Sequence, residues 1–146
     1  TSGGSTPGRV PIPHDTAIID ANSITAGSLV ITQDMPYIPA MTNWTGVTNT
    51  PTWTTSTAAF VFGSITMVSG MILTASSPTY TFAGRGSYTL TNGGLTFDKN
   101  LVLDAPCVTL TMQDAFLASS YSTLTITNGS FDFNDFSYHG SKAPDC

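Results

Sequence analysis

The chain has 146 residues, a length that fits one domain, yet only 9% of them are charged, against about 25% in an ordinary soluble domain. A net charge of −5 with only four Lys and Arg leaves no basic patch and argues against nucleic acid as a partner. No apolar run reaches the roughly 18 residues of a membrane-spanning helix, and helix-filling Glu is absent while strand-favouring Thr abounds, which disfavours helices.

Residues 1–13 are rich in Gly, Ser, Thr and Pro and read as a flexible lead-in. A single β domain is expected over 14–136, and 137–146 read as a tail or the start of a following segment. Apolar and β-branched runs at 17–20, 28–32 and 38–44 open the domain, followed by a strand around Trp53 and others at 58–62, 64–68, 72–74, 79–82 and 87–91. Further runs at 95–97, 101–103, 108–112, 123–127 and 131–133 complete about a dozen strand signals, with Gly, Asn, Asp, Ser and Pro between them. Residues 113–120 are the one stretch that suits a helical turn.

Internal echoes suggest a repeat. Ile65-Thr66-Met67 resembles Tyr88-Thr89-Leu90, 23 positions later, and Thr111-Met112 lie 22 positions beyond Thr89-Leu90. A second echo, from Leu90–Asp98 to 126–134, has a spacing of 36 and fits neither step. Strand alternation then turns Ile65, Met67, Tyr88, Leu90, Leu110, Met112, Leu124 and Ile126 inward, while Thr109 and Thr111 face out. Outward Thr residues stacked in register would form hydroxyl ladders where stacked like charges would repel. The expected fold is all-β, a short parallel β-solenoid with irregular rungs. The alternative is a β-sandwich or jelly roll, whose strands recur at roughly 8–12 residues.

The sequence from Val10-Pro11 and His14–Ser23, through Trp44–Pro51, Phe62–Met71 and 81–84, to Thr123–Asp132 resembles the Thr/Gly-rich β-repeat segments of phage tail-fibre and virion structural proteins and of bacterial adhesin-like surface proteins. The resemblance spans roughly residues 3–135. It implies a module located in a virion, at a cell surface or in the extracellular space, and it carries no catalytic residues to transfer.

Sites read from the residues agree with a non-enzymatic chain. Asp114, Asp132 and Asp135 are candidates for a glycosidase carboxylate pair, but they sit among turn residues and read as such. His14 and His139 lack the partners of a triad or metal site. Arg85 and Lys99 read as solvated charges beside turns. Asp98, Asn100 and Asp104, or Asp132, Asn134 and Asp135, offer oxygens for a cation, yet the calcium-binding nonapeptide is missing. No catalytic residue, metal site or cofactor is therefore expected. Cys107 reads as a small buried hydrophobe, and its pairing with Cys146 is left open. Tyr37, Trp44 and Trp53 form the one candidate ligand-binding set, as rings for stacking on a glycan or anchoring a partner; the competing reading has the two tryptophans capping the core.

The expected function is a structural or interaction module of a phage virion: fibre, spike or capsid decoration. The alternative is a carbohydrate- or host-binding adhesin module of a bacterial surface protein. Expected partners are identical chains, as a trimer or a lattice, other virion or surface proteins, and a glycan.

Overall fold

Thr, Ile, Val, Tyr and Trp fit pleated positions, and Gly, Pro, Asn and Asp interrupt them every few residues. The chain therefore makes short strands and turns after each. The computed structural model describes residues 11–39, 41–75, 78–119, 122–136 and 138–139. It is a parallel β-solenoid of about five turns. The first rung holds β1 (Thr16–Ile18), β2 (Val30–Gln33) and β3 (Tyr37–Ile38). The second holds β4 (Met41–Asn43), β5 (Thr52–Thr55) and β6 (Ala59–Val61), and the third β7 (Ser64–Thr66), β8 (Ile72–Ala75) and β9 (Thr79–Phe82). The fourth begins with β10 (Ser87–Thr91) and enters β11 (Asn100–Met112), which runs on into the fifth with β12 (Phe116–Leu117) and β13 (Leu124–Asp132). A last strand, β14 (Tyr138–His139), pairs with β12. Among the described residues there is no helix, and the named strand pairs are all parallel. This excludes the sandwich and jelly-roll alternative, whose strands pair antiparallel.

Three walls result. β1, β4, β7, β10 and the second half of β11 stack in one; β2, β5 and β8 in another; β3, β6, β9 and the first half of β11 in the third. Parallel pairing carries each inward position onto the next. Ala17, Thr42, Ile65, Leu90 and Met112 form one inward row. Ile38, Val61, Phe82 and Leu103 form another, beside Ala59, Tyr80 and Leu101. Apart from half-buried Ala17, these residues are buried. A file of rings continues the interior toward the C-terminal end: Tyr80 to Phe97 at 6.1 Å, Phe97 to Phe116 at 5.7 Å, and Phe116 to Phe131 at 6.4 Å between centroids.

Polar contacts also run between rungs. Thr32, Thr54 and Thr74 share an outward row, and the Thr54 and Thr74 hydroxyls lie 2.9 Å apart, one step of a hydroxyl ladder. Asp114 accepts hydrogen bonds from the Asn92 and Gly93 N–H groups at 2.8 and 2.7 Å, tying one rung's corner to that of the next.

Several sequence expectations are revised. Ile65 stacks on Leu90, not on Tyr88, a step of 25 residues in place of 23. The slip is two residues, so the inward face is preserved. The step of 22 between Leu90 and Met112 is as expected. The 36-residue echo reflects shared turn chemistry at two different corners: Gly93 and Gly129 both take positive φ, 62° and 107°. Of the expected core, Ile65, Met67, Leu90, Leu110 and Met112 are buried. Tyr88 and Leu124 are half-buried, and Ile126 is 50% exposed. Ile126 stacks on Leu103 in the last strand of that wall, and among the described residues no further strand covers it. Tyr88 bends back to its own corner, where its hydroxyl accepts from Arg85 N–H and donates to Arg85 C=O, both at 2.7 Å. The stretch 113–120 gives β12, not a helical turn. The separate runs at 101–103 and 108–112 are one bent strand, with Cys107 at φ 67° on the bend and exposed, not buried. Tyr138 and His139, placed in the tail by sequence, add a strand; residues 1–10 and Cys146 lie outside the described residues.

Leu110→Ala, at a fully buried position, is expected to cost about 2–5 kcal/mol in chemical denaturation. A Cβ on Gly93 would meet Val68 Cα at 2.5 Å and Met67 O at 2.7 Å, at φ 62°. Gly93→Ala should therefore destabilise by about 1–3 kcal/mol, whereas Gly70→Ala, with nothing within 4 Å of its Cβ, should be close to neutral. Equal losses for the two glycine variants would contradict the packing described.

Candidate functional site

Tyr37, Trp44 and Trp53 converge on one cavity, although the three lie on different strands or corners. Trp53 points inward on β5, stacked between Ile31 of β2 and Leu73 of β8. Trp44 follows β4 directly, its backbone N–H donating to Thr66 C=O at 2.9 Å, and its ring lies 5.4 Å from that of Trp53 at an interplanar angle of 36°. The turn after Trp44 is set by Asn43, whose side-chain oxygen accepts from Thr45 N–H at 2.8 Å. Tyr37 sits at the start of β3, in register with Phe60.

The cavity has a volume of about 180 Å³ and lies in the first rung with the second as its floor. Ala17, Ile19, Ile31, Ile38 and Pro39 join the aromatic residues in an apolar lining, with Thr32, Gln33, Asp34 and Thr42 as its polar members. Gln33 is engaged: its amide donates to Met35 C=O and accepts from the Tyr80 hydroxyl at 3.4 Å. Burial pushes the Tyr80 phenol far above its ordinary pKa, so this group stays neutral. Trp44 Nε1 and Thr42 Oγ1 are buried and have no hydrogen-bond partner among the described residues.

The three aromatic residues are neighbours, and of the two readings the burial favours the one in which the tryptophans cap the core over the one in which they are open rings. Trp44 and Trp53 are 1% and 3% exposed, inside the solenoid, and Tyr37 is half-buried. The tryptophans offer no open ring face for a surface-bound sugar. Ile31 and Thr42 were missed as lining residues, although the match of Val30–Gln33 to Thr52–Thr55 at a step of 22 would have located Ile31 beneath Trp53.

The other candidates resolve into local structure. Asn134 N–H bonds to Asp132 Oδ1 at 2.8 Å, and Asn134 and Asp135 both take positive φ, a turn after β13. His14 is exposed in a turn closed by the Ile12 N–H to Asp15 carboxylate bond of 2.8 Å. Asp98 accepts from Ser119 Oγ at 2.7 Å, Asn100 from Thr123 Oγ1 at 3.0 Å, and Asp104 from Asn128 Nδ2 at 2.7 Å. Among the described residues no three His, Cys or Asp side chains gather as a metal site. Arg85 is exposed at its corner, as expected.

Lys99 departs from its reading as a solvated charge, because it is fully buried. Alternation from Phe97 through Lys99 to Leu101 and Leu103 aims it inward. Its ammonium donates to Asp98 C=O at 3.4 Å, and burial lowers its pKa from 10.5 to about 8, with nearby Asp98 opposing.

Family models, curated proteins and solved structures were compared with the chain, and none matches.

The folded pKa of Lys99 lies below the unfolded one, so the unfolded chain binds this proton more tightly. Folding is penalised below pH 8, and stability is expected to rise as the pH climbs from about 8 to 10.5. Lys99→Met should raise stability at pH 7 and remove that rise. Denaturation midpoints across this pH range check it; an unchanged slope in the variant would contradict the assignment.

Proposed function

We propose that this chain is a non-enzymatic structural and interaction module of a phage virion, a part of a fibre, spike or capsid decoration. The observation that supports this reading best is the state of the solenoid's two ends. Among the described residues, β1, β2 and β3 have a strand partner on one side only, and so does β13. Each such edge is a row of backbone groups able to pair with a further strand. Apolar side chains accompany the edges: Ile126 and Phe136 are exposed at one end, and Ile18 and Val30 on the first rung at the other. A solenoid is stable when its terminal rungs are covered, and neighbouring copies or other virion proteins would supply that cover in an assembled particle. The low charge of the outward rows, lined by Thr and Ser, sets little repulsion against such association. A homotrimer is the first assembly proposed, and a lattice or filament the second. The surface-adhesin reading has less support, because its glycan platform relied on ring faces that are inside the fold.

Sedimentation of the purified chain across the micromolar range tests the assembly. The expected result is a defined species heavier than the 15.3 kDa monomer. A monomer at every concentration would count against the reading, as would absence of the chain from purified virions examined by mass spectrometry.

A further inference from the structure

Asn-Gly occurs twice in the chain, at Asn92-Gly93 and Asn128-Gly129, at the centre of the 36-residue echo. The pair carries its own chemistry. The backbone nitrogen after an asparagine can attack the side-chain amide carbon, and glycine, with no Cβ in the way, allows that approach best. The fold places the two copies in opposite surroundings. Asn92 is fully buried, and Gly93 N–H donates to Asp114 Oδ2 at 2.7 Å, in a corner where Val68 Cα lies 2.5 Å from the place of a Cβ. The attacking nitrogen is occupied there, and the amide is out of reach of water. Asn128 is exposed, and Gly129 takes φ 107°. Asn128 pairs in register with Asp104 and Ser130 with Thr109, so Gly129 falls at the irregularity between them, without a register partner on β11. The Asn128 amide donates to Asp104 Oδ1 at 2.7 Å, a side-chain tie between β13 and β11.

We propose that Asn128-Gly129 is a self-modification site, at which the folded chain deamidates and converts the Asn128–Asp104 hydrogen bond into a clash of like charges. Gly129 N, losing its proton, bonds to Asn128 Cγ, and the amide nitrogen leaves as ammonia, which gives a cyclic imide. Water then opens the ring at either carbonyl and yields aspartate or isoaspartate; water is the co-reactant, and no oxidant or reductant is needed. The new carboxylate stands where the amide donated, facing that of Asp104, and like charges opposed in register are unfavourable. Isoaspartate also lengthens the main chain by one carbon just before Gly129, ahead of the pairing of Ser130–Asp132 with β11. Both products loosen β13 from β11, while the corner at Asn92 stays intact. The proposal does not rest on the virion reading.

The full chain is incubated in mildly alkaline buffer, folded and, in parallel, in urea, and is then digested with trypsin. Cleavage after Arg85, Lys99 and Lys142 puts Asn92 and Asn128 on different peptides, whose masses and fragments report each amide-to-acid conversion. In urea the two sites are expected to react at similar rates. In the folded chain Asn128 should react about ten or more times faster than Asn92, which reacts only when its corner opens. Asn128→Asp, the product installed directly, should speed hydrogen exchange of residues 124–132 severalfold, an effect that shrinks in high salt because both members of the pair are exposed. Asp104→Asn added to it should restore native protection, because the amide can then donate to the new carboxylate. The proposal is overturned if Asn128 reacts no faster than Asn92 in the folded chain, or if Asn128→Asp leaves exchange in β13 as it is in the native chain. It is equally overturned if adding Asp104→Asn fails to restore protection, which would make loss of the Asn128 amide, and not charge repulsion, the cause.

Discussion

Parallel backbone pairing between successive rungs is the constraint on which everything else in this molecule depends. It places each residue about 4.8 Å from its counterpart on the next rung, so a position's chemistry is repeated down a row and not diluted over a surface. A row of charges would repel itself at that spacing. The composition follows: Thr32, Thr54 and Thr74 in one outward row, Ser64, Thr89 and Thr111 in another, and 9% charge over the whole chain. Inside, the same repetition gathers large rings into files, and the buried Lys99 ammonium is an exception that the fold carries at a cost.

The corners absorb what the walls cannot. Along the first wall the steps between stacked residues are 25, 23, 25 and 22, while along the third, from Tyr37 through Phe60 and Thr81 to Val102, they are 23, 21 and 21. The walls stay in register because turns of different length hold the surplus. These turns carry positive φ at Asn49, Thr50, Gly86, Gly93, Cys107 and Gly129. Asp114 and Tyr88 then fasten corners with side-chain bonds to backbone groups.

The class of fold was legible because strand alternation and the Thr-rich echoes both survive in the sequence, and Leu90 over Met112 is a register readable by eye. The register of Ile65 was not, since a slip of two residues keeps every side chain on its face and so leaves the pattern intact. Exposure at the solenoid's end was also hidden: Ile126 obeys the inward alternation but is 50% exposed, because among the described residues no strand stacks beyond it. The burial of Lys99 was present as alternation from Phe97 to Leu103, masked by neighbours Asp98 and Asn100 that look like turn residues. For the site, the three aromatic residues were found as a group by their position in the least repetitive stretch. The cavity between them depends on how two rungs fit, which no single stretch of sequence encodes.

The clustering of Trp44 and Trp53 has a consequence for how the molecule comes apart. Solenoids behave nearly as one-dimensional arrays, in which each rung is held by its neighbours and melting proceeds inward from an end. Both tryptophans sit near the N-terminal end, on the second rung, and the rungs beyond the third are built without one. Indole emission therefore follows the unzipping of the first rungs, while the far-ultraviolet signal averages over all of them. The two spectroscopic transitions will coincide only if the array melts as a single cooperative unit, so this pair of rings makes the molecule its own gauge of how far cooperativity reaches along the axis.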